Sequence, residues 1–245
     1  MKLEHYQLTS IGNRKINQDY MQNEVNDRYA LFVVADGLGG HHAGEKASRF
    51  FCKGLVGLAP AYTQTIAEDP EQVMFDWIDA AVDKMKVAFG DDEGAIDAHT
   101  TCAILYMQKD LLVVAHCGDS RVYRLKNGVQ LWRTRDHSKT QNLLEKGALT
   151  EQEMGVHPDQ GFLTRSINIL KPYEPEIKVY PPPEKGEIFI LCSDGFWEFT
   201  KEAEFRRLAM PNINKKDLLK QAQLAMFRAG GRSDNITVQW LRICE

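Results

Sequence analysis

Apolar residues recur along this chain in two rhythms. Near-continuous apolar runs at 31–35, 100–107, 111–117, 122–125, 129–132, 188–192 and 236–243 read as strands, most of them buried. Helical spacing appears at 43–58, where Ala47, Phe50, Phe51 and Leu55 share a face. It returns at 71–89, where Val73, Trp77, Ile78, Ala81, Val82 and Met85 form a stripe that reads as core packing. Pro70 marks the start of that second helix, and two further helices are expected over 201–209 and 215–228. Asn127-Gly128 between two apolar runs is a hairpin signal, and Pro181-Pro182-Pro183 closes an edge strand at 177–180. Meandering hairpins imply antiparallel sheet rather than parallel winding. The stretch 10–20 is polar and irregular, 90–98 is an acidic solvated loop, and 135–161 is polar and weakly helical, which reads as a surface insertion or flap. No repeat and no boundary divides the chain, so 1–245 is read as one domain with a flap over about 138–165.

Composition adds bounds. The 245 residues are 43% hydrophobic and 26% charged, ordinary for a globular chain with a sizeable core. A net charge of −4 gives no reason to expect nucleic acid or an anionic membrane as partner. The N-terminus lacks an apolar signal segment, and no run approaches the length of a membrane span. The five cysteines, Cys52, Cys102, Cys117, Cys192 and Cys244, sit mostly in apolar runs and read as reduced core thiols, which points to the cytoplasm.

The candidate chemistry lies where apolar runs meet acids. The run 31–35 delivers Asp36 into a turn rich in glycine (Gly37, Gly39, Gly40), a setting that suits a hard cation with oxygen ligands. The pattern returns at Gly118-Asp119 after 113–117 and at Ser193-Asp194-Gly195 after 188–192, and Asp234 stands just before the last strand. Each acid alone is more simply a turn residue. If the strands neighbour one another, their carboxylates converge at one sheet edge. Ionised acids sharing a small volume need a counter-charge, and carboxylates select Mg²⁺, Mn²⁺ or Ca²⁺ over zinc. Arg14, near Asp19 in the polar stretch before the first strong strand, offers the planar fork that binds phosphate; its simpler reading is a surface ion pair. No cysteine is followed six positions later by arginine, no phosphate-binding Gly-x-x-x-x-Gly-Lys loop occurs, and the seven histidines include only the adjacent pair His41-His42, so thiolate, nucleotide-loop and zinc chemistries fit less well.

At these residues the chain resembles the metal-dependent serine/threonine protein phosphatases (type 2C) in their compact bacterial form. The motifs run from Arg14-Lys-Ile-Asn-Gln-Asp19 through Asp36-Gly-Leu-Gly-Gly-His41, Thr100-Thr101, Gly118-Asp-Ser-Arg121, Asp136-His-Ser138, Leu163-Thr-Arg165 and Ser193-Asp-Gly195 to Asp234-Asn-Ile-Thr-Val238. The resemblance implies an α+β fold, a four-layer αββα sandwich of two antiparallel sheets flanked by helices. It implies a centre of two Mn²⁺ or Mg²⁺ ions, with Asp36 bridging them, Asp194 and Asp234 completing the first site, and the Gly37 carbonyl and, through water, Asp19 at the second. Asp119 matches the acid that binds a third, weaker metal, Asn235 would orient Asp234, and Arg14 would hold the substrate phosphate. Hydroxide bridging the metals would attack the phosphoserine or phosphothreonine phosphorus in line. A monomer acting on phosphoproteins and opposing a bacterial serine/threonine kinase is expected. A phosphoprotein-binding pseudophosphatase and a phosphoesterase acting on small molecules are the alternatives, and intact Asp36, Asp194 and Asp234 argue against the first. Leu38 and Gln18 stand where animal members carry a histidine and a glutamate, and Ser166-Ile-Asn168 stands where small residues and a glycine are usual.

Overall fold

The computed structural model describes residues 2–39, 43–92 and 98–244. Gly40, His41, His42 and Glu93 lie outside the described residues. In chain order come β1 (Leu3–Ser10), β2 (Asp19–Val25), β3 (Tyr29–Leu38), α1 (Ala43–Tyr62), α2 (Pro70–Phe89), β4 (His99–Thr100), β5 (Cys102–Gln108), β6 (Leu111–Cys117), β7 (Arg121–Lys126) and β8 (Val129–Arg133). Then follow α3 (Lys139–Glu145), α4 (Glu151–Met154), β9 (Ile167–Asn168), β10 (Glu176–Tyr180), β11 (Glu187–Cys192), α5 (Asp194–Trp197), α6 (Glu202–Leu208), α7 (Lys215–Arg228) and β12 (Ile236–Ile243).

The strands form two antiparallel sheets. One runs β1-β12-β11-β7-β8; the other runs β10-β6-β5-β3-β4-β9, with β2 also paired to β3. Alternation along β3 explains the layering, because successive side chains in a strand point to opposite faces. Leu31, Val33 and Ala35 pack with Phe51, Leu55, Trp77 and Ile78 of α1 and α2. Ala30, Phe32 and Val34 pack instead between the sheets, with Phe189, Leu191 and Leu241. On the outer face of the five-stranded sheet β1-β12-β11-β7-β8, Ile188, Ile190 and Trp240 meet Phe205, Leu218 and Ala225 from α6 and α7. Three apolar layers therefore separate four structural ones, in the order helix, sheet, sheet, helix.

Local chemistry sets several boundaries. Asp69 accepts a hydrogen bond from Gln72 N at 3.2 Å and Pro70 opens α2, a preorganised helix start. The β7–β8 hairpin turns on Asn127 (φ 50) and Gly128 (φ 76), the left-handed pair its tight turn demands.

Three elements depart from the sequence reading. The stretch expected to be irregular and polar contains the end of β1 and the start of β2. Both strands pair on one side only, β1 with β12 and β2 with β3, so polar residues are tolerated on them and the apolar signal is weak. The single turn α5 is four residues long, too short for a helical period. Among the described residues no helix is long and apolar enough to cross a membrane. All five cysteines are free, and Cys52, Cys102, Cys117 and Cys192 are buried.

Candidate metal centre

The strand-end acids meet at one end of the sandwich, and they come from both sheets rather than from one sheet edge as expected. The reason is topological. Asp36 lies on β3 in one sheet, Asp194 follows β11 in the other, and Gly118-Asp119-Ser120 carries the chain from β6 across to β7. Antiparallel pairing sets Asp19, the first residue of β2, directly opposite Asp36. Asp36 and Asp194 come close enough across the gap between the sheets to act on one another's charge. Ser193 Oγ donates to Asp19 Oδ2 at 2.7 Å and accepts from Thr237 N at 3.0 Å, locking β12, the β11 end and β2 together.

Two glycines let backbones approach here. A Cβ on Gly37 would lie 2.0 Å from Gly44 O and 2.8 Å from Gln18 O, so the turn after Asp36 packs against the start of α1 and the loop before Asp19. A Cβ on Gly195 would lie 2.1 Å from Asn235 O, so the Asp194 and Asp234 segments touch through bare backbone. Asp36 is held from behind: its N–H donates to Thr101 Oγ1 at 2.9 Å, and its carbonyl accepts from Thr100 Oγ1 at 3.0 Å and Thr101 N at 2.8 Å. Asp194 Oδ1 accepts from Gly195 N at 2.6 Å, and its Oδ2 accepts from Gln160 Nε2 at 3.3 Å.

Asn235 does more than its neighbour requires. Its backbone N–H donates to Asp234 Oδ1 at 2.7 Å, but its side chain reaches the loop that carries Arg14. Asn235 Nδ2 donates to Ile11 O (2.9 Å) and Ile16 O (3.0 Å), and its Oδ1 accepts from Gln18 N at 2.7 Å. Arg14 itself, 59% exposed, forms an ion pair with Asp234 Oδ2 at 2.5 Å.

Burial is the largest influence on the acids and their mutual repulsion adds to it, so both favour the protonated form. Asp19 is pushed up to about 7 and Asp194 to about 6. Asp36 and Asp119 lie well above the ordinary carboxylate range for the same two causes. Glu198, one turn along from Asp194, is pushed up to about 10 by burial and then by Asp194, Asp119 and Asp234. Asp19 Oδ1 is buried with no hydrogen-bond partner. A cluster of this charge with an orphaned oxygen fits divalent cations, which neutralise carboxylates that the fold has dehydrated.

Several residues of the centre gave no signal in the sequence reading. Glu198 and Gln160 lie outside any apolar-run-plus-acid pattern. Trp197 Nε1 donates to the Asp119 carbonyl at 2.9 Å and its ring lies 3.5 Å beneath the Arg121 guanidinium. Arg121 makes a buried two-pronged bond to Asp136 (2.8 and 2.7 Å) and reaches Glu151 of α4 at 2.8 Å, joining the Asp119 loop to the polar insertion. His157, also in that insertion, accepts from Asp159 N at 3.0 Å and serves a local turn. Away from the centre, His116, His137 and Glu176 bring three ligand-type atoms within 4.8 Å. The two imidazoles stack at 4.6 Å and 14°, His116 Nε2 lies 2.7 Å from the Arg135 carbonyl and His137 Nδ1 accepts from Gly118 N at 3.3 Å, so backbone partners occupy these rings and the group reads as packing.

Comparison with known proteins agrees with this geometry. A family model described as protein phosphatase 2C matches residues 8–225. The protein phosphatase PhpP of Streptococcus pneumoniae is 30% identical over 236 residues, 94% of each chain. The S. agalactiae serine/threonine phosphatase structure superposes with a TM-score of 0.84 at 28% identity, covering 99% of this chain and 100% of that one. The catalytic domain of the serine/threonine protein phosphatase PstP, solved with two manganese ions, gives 0.80 at 25% identity over 99% of both chains.

Proposed function

The chain belongs to the protein phosphatase 2C family, and we propose that in this metal-dependent serine/threonine phosphatase the acids at the sandwich end hold the ions while Arg14 takes the substrate phosphate. Asp36, Asp194, Asp234, Asp19 and the Gly37 carbonyl would hold two Mn²⁺ or Mg²⁺ ions. Asp119 serves a third, weaker position. Bound there, the ions supply Lewis acidity that acidifies water and offsets phosphoryl charge.

The rest is work for this chain's own groups. Arg14 is paired with Asp234, and when it lets go of that carboxylate its planar fork can donate to two phosphate oxygens. Asn235 is a positioning residue for both, because it bonds the Arg14 loop and abuts Asp234. Gln160 ties the insertion over 138–165, read as a flap of one catalytic domain over 1–245, to Asp194 and so to the acid cluster. Phosphoproteins are the substrates, and a cognate kinase, a monomeric state and a cytoplasmic setting, where the four buried thiols stay reduced, complete the proposal.

One observation carries this reading: acids from distant segments share one pocket, with an oxygen of Asp19 left without a partner. The test is hydrolysis of a phosphothreonine peptide before and after chelation. Activity is expected to vanish in chelator and return with Mn²⁺, and Asp36→Asn is expected to stay folded without activity. Unchanged turnover in excess chelator would overturn the assignment.

A further inference from the structure

A cleft of about 470 Å³ opens beside the metal centre, lined by His99, Arg165, Ser166, Lys171, Tyr173 and Glu174 among others. Strand register locates it. β4 pairs with β3 so that Thr100 stands opposite Gly37 and His99 opposite Leu38. Residues directly opposite one another in an antiparallel pair share a face, as do residues two apart along a strand. His99 therefore projects on the face that carries Leu38 and Asp36. Its offset from Asp36 is about 7 Å along the strand and about 5 Å across it. An extended peptide whose phosphoryl group sits at Asp36 reaches the cleft with a side chain about two or three residues away.

The lining is cationic on a chain whose net charge is −4. His99 Nδ1 lies 2.9 Å from Ser166 Oγ, and its Nε2 faces the Lys171 ammonium at 3.5 Å. Lysine has only donors to offer, so Nε2 is the acceptor and Nδ1–H points to Ser166. Arg165 pairs with Glu174 at 3.2 Å, and that glutamate is 77% exposed. Among the described residues Lys171 has no carboxylate partner. One ammonium is thus held in place by an imidazole and left without a counter-charge, and a second cation is balanced by a solvated acid that a ligand can displace. Arg165 belongs to the Leu163-Thr-Arg165 motif, whereas His99, Ser166 and Lys171 fall outside the motifs that carry the family resemblance.

We propose that this cleft binds an anionic group of the phosphoprotein substrate, carried two or three residues from the phosphorylated serine or threonine. The proposal rests on the acid cluster being the phosphoryl site. Lys171 donates to the anion, Arg165 exchanges Glu174 for it, and His99 orients Lys171. The same field disfavours substrates with lysine or arginine at that position, so the cleft selects by repulsion as well as attraction. A carboxylate and a second phosphoryl group share the required chemistry.

The test uses the Mn²⁺-loaded enzyme and phosphothreonine peptides that differ only at the positions two and three residues away, on either side. Those positions carry alanine, aspartate, or a non-hydrolysable phosphonate analogue of phosphoserine. Aspartate is expected to raise kcat/KM about three- to fivefold over alanine on one side of the phosphothreonine, chiefly through KM. The phosphonate is expected to raise it about tenfold if a second phosphoryl group is the natural ligand, and no more than aspartate if a carboxylate is. Lys171→Arg is expected to keep the preference, and Lys171→Glu to abolish or invert the ratio between anionic and alanine peptides. Equal rates for all peptides with the natural chain, or a preference that survives in Lys171→Glu, would overturn the proposal. Were the alanine peptide not hydrolysed at all, the phosphoryl-site reading would fail instead. Fluorescence anisotropy of the same labelled peptides would then decide the cleft, with tighter anionic binding lost in Lys171→Glu supporting it and equal affinities overturning it.

Discussion

Removing divalent cations is expected to make this protein lose stability as pH rises from about 6.5 to about 8. Burial and then mutual repulsion raise Asp19 to about 7 and Glu198 to about 10, and hold Asp36 and Asp119 well above the ordinary range. Unfolding returns the aspartates to an ordinary value of 3.8. The folded chain therefore keeps protons that the unfolded chain has released. A raised carboxyl contributes stability that is complete below its unfolded pKa and is lost as pH climbs through its folded one. Each retained proton lowers stability by about 1.4 kcal/mol per pH unit. Interacting acids titrate as a group, and with Asp19, Asp36, Asp119 and Glu198 all raised, two retained protons is a conservative number for the cluster. Over this window that amounts to about 4 kcal/mol, or about 10 °C of melting temperature for a chain of this size. His116 and His137, whose burial lowers their pKa, act with the opposite sign and only below about 6.5, which sets the lower limit of the window. The assay is thermal unfolding by circular dichroism at several pH values in chelator and in saturating Mn²⁺. Mn²⁺ is expected to remove or reverse the slope, since ionised acids bind it best. Asp36→Asn, which cannot ionise, is expected to remove about half of the slope in chelator. A melting temperature in chelator that stays flat or rises between those pH values, or an unchanged slope in Asp36→Asn, would refute the account.

Other outcomes follow from single contacts. Arg14→Ala is expected to raise KM for a phosphothreonine peptide about tenfold, the loss of one charge-assisted contact, with a smaller change in kcat; steady-state kinetics with KM unchanged would remove Arg14 from the phosphate. Arg121→Met removes both short bonds to buried Asp136, leaving it only Arg133 at 3.6 Å, and is expected to cost about 3 kcal/mol in urea unfolding, so a cost below about 1 kcal/mol would contradict the buried pair. Gly37→Ala drives a Cβ to 2.0 Å from Gly44 O, so the turn must shift; Mn²⁺ affinity by calorimetry is expected to fall more than about tenfold while helix content stays, and natural affinity would refute the packing.

Legibility from sequence followed burial. The last strand was read as 236–243 and a helix as 215–228, and both coincide with β12 and α7, because a central strand and an amphipathic helix each present a complete period to a core. β1 and β2 give little apolar signal because each is an edge strand paired on one side and mostly half-buried, and α5 gives none because four residues hold no period. Within the centre, Asp36, Asp119 and Asp194 were visible as acids ending apolar runs. Their supports were not: Ser193, Thr101, Gln160, Trp197 and Glu198 act through contacts between segments far apart in the chain.

The sequence by itself determined the buried strands, the long helices, the hairpin turn and which acids stand at strand ends, since all of these depend on neighbours within a few residues. Only the tertiary structure decided that the acids come from two sheets, that Arg14 rests on Asp234, and that His99 and Lys171 stand on the side of the sheet that carries Asp36. Those facts depend on strand order and register, which arise from packing whole faces together and leave no local trace in the order of residues.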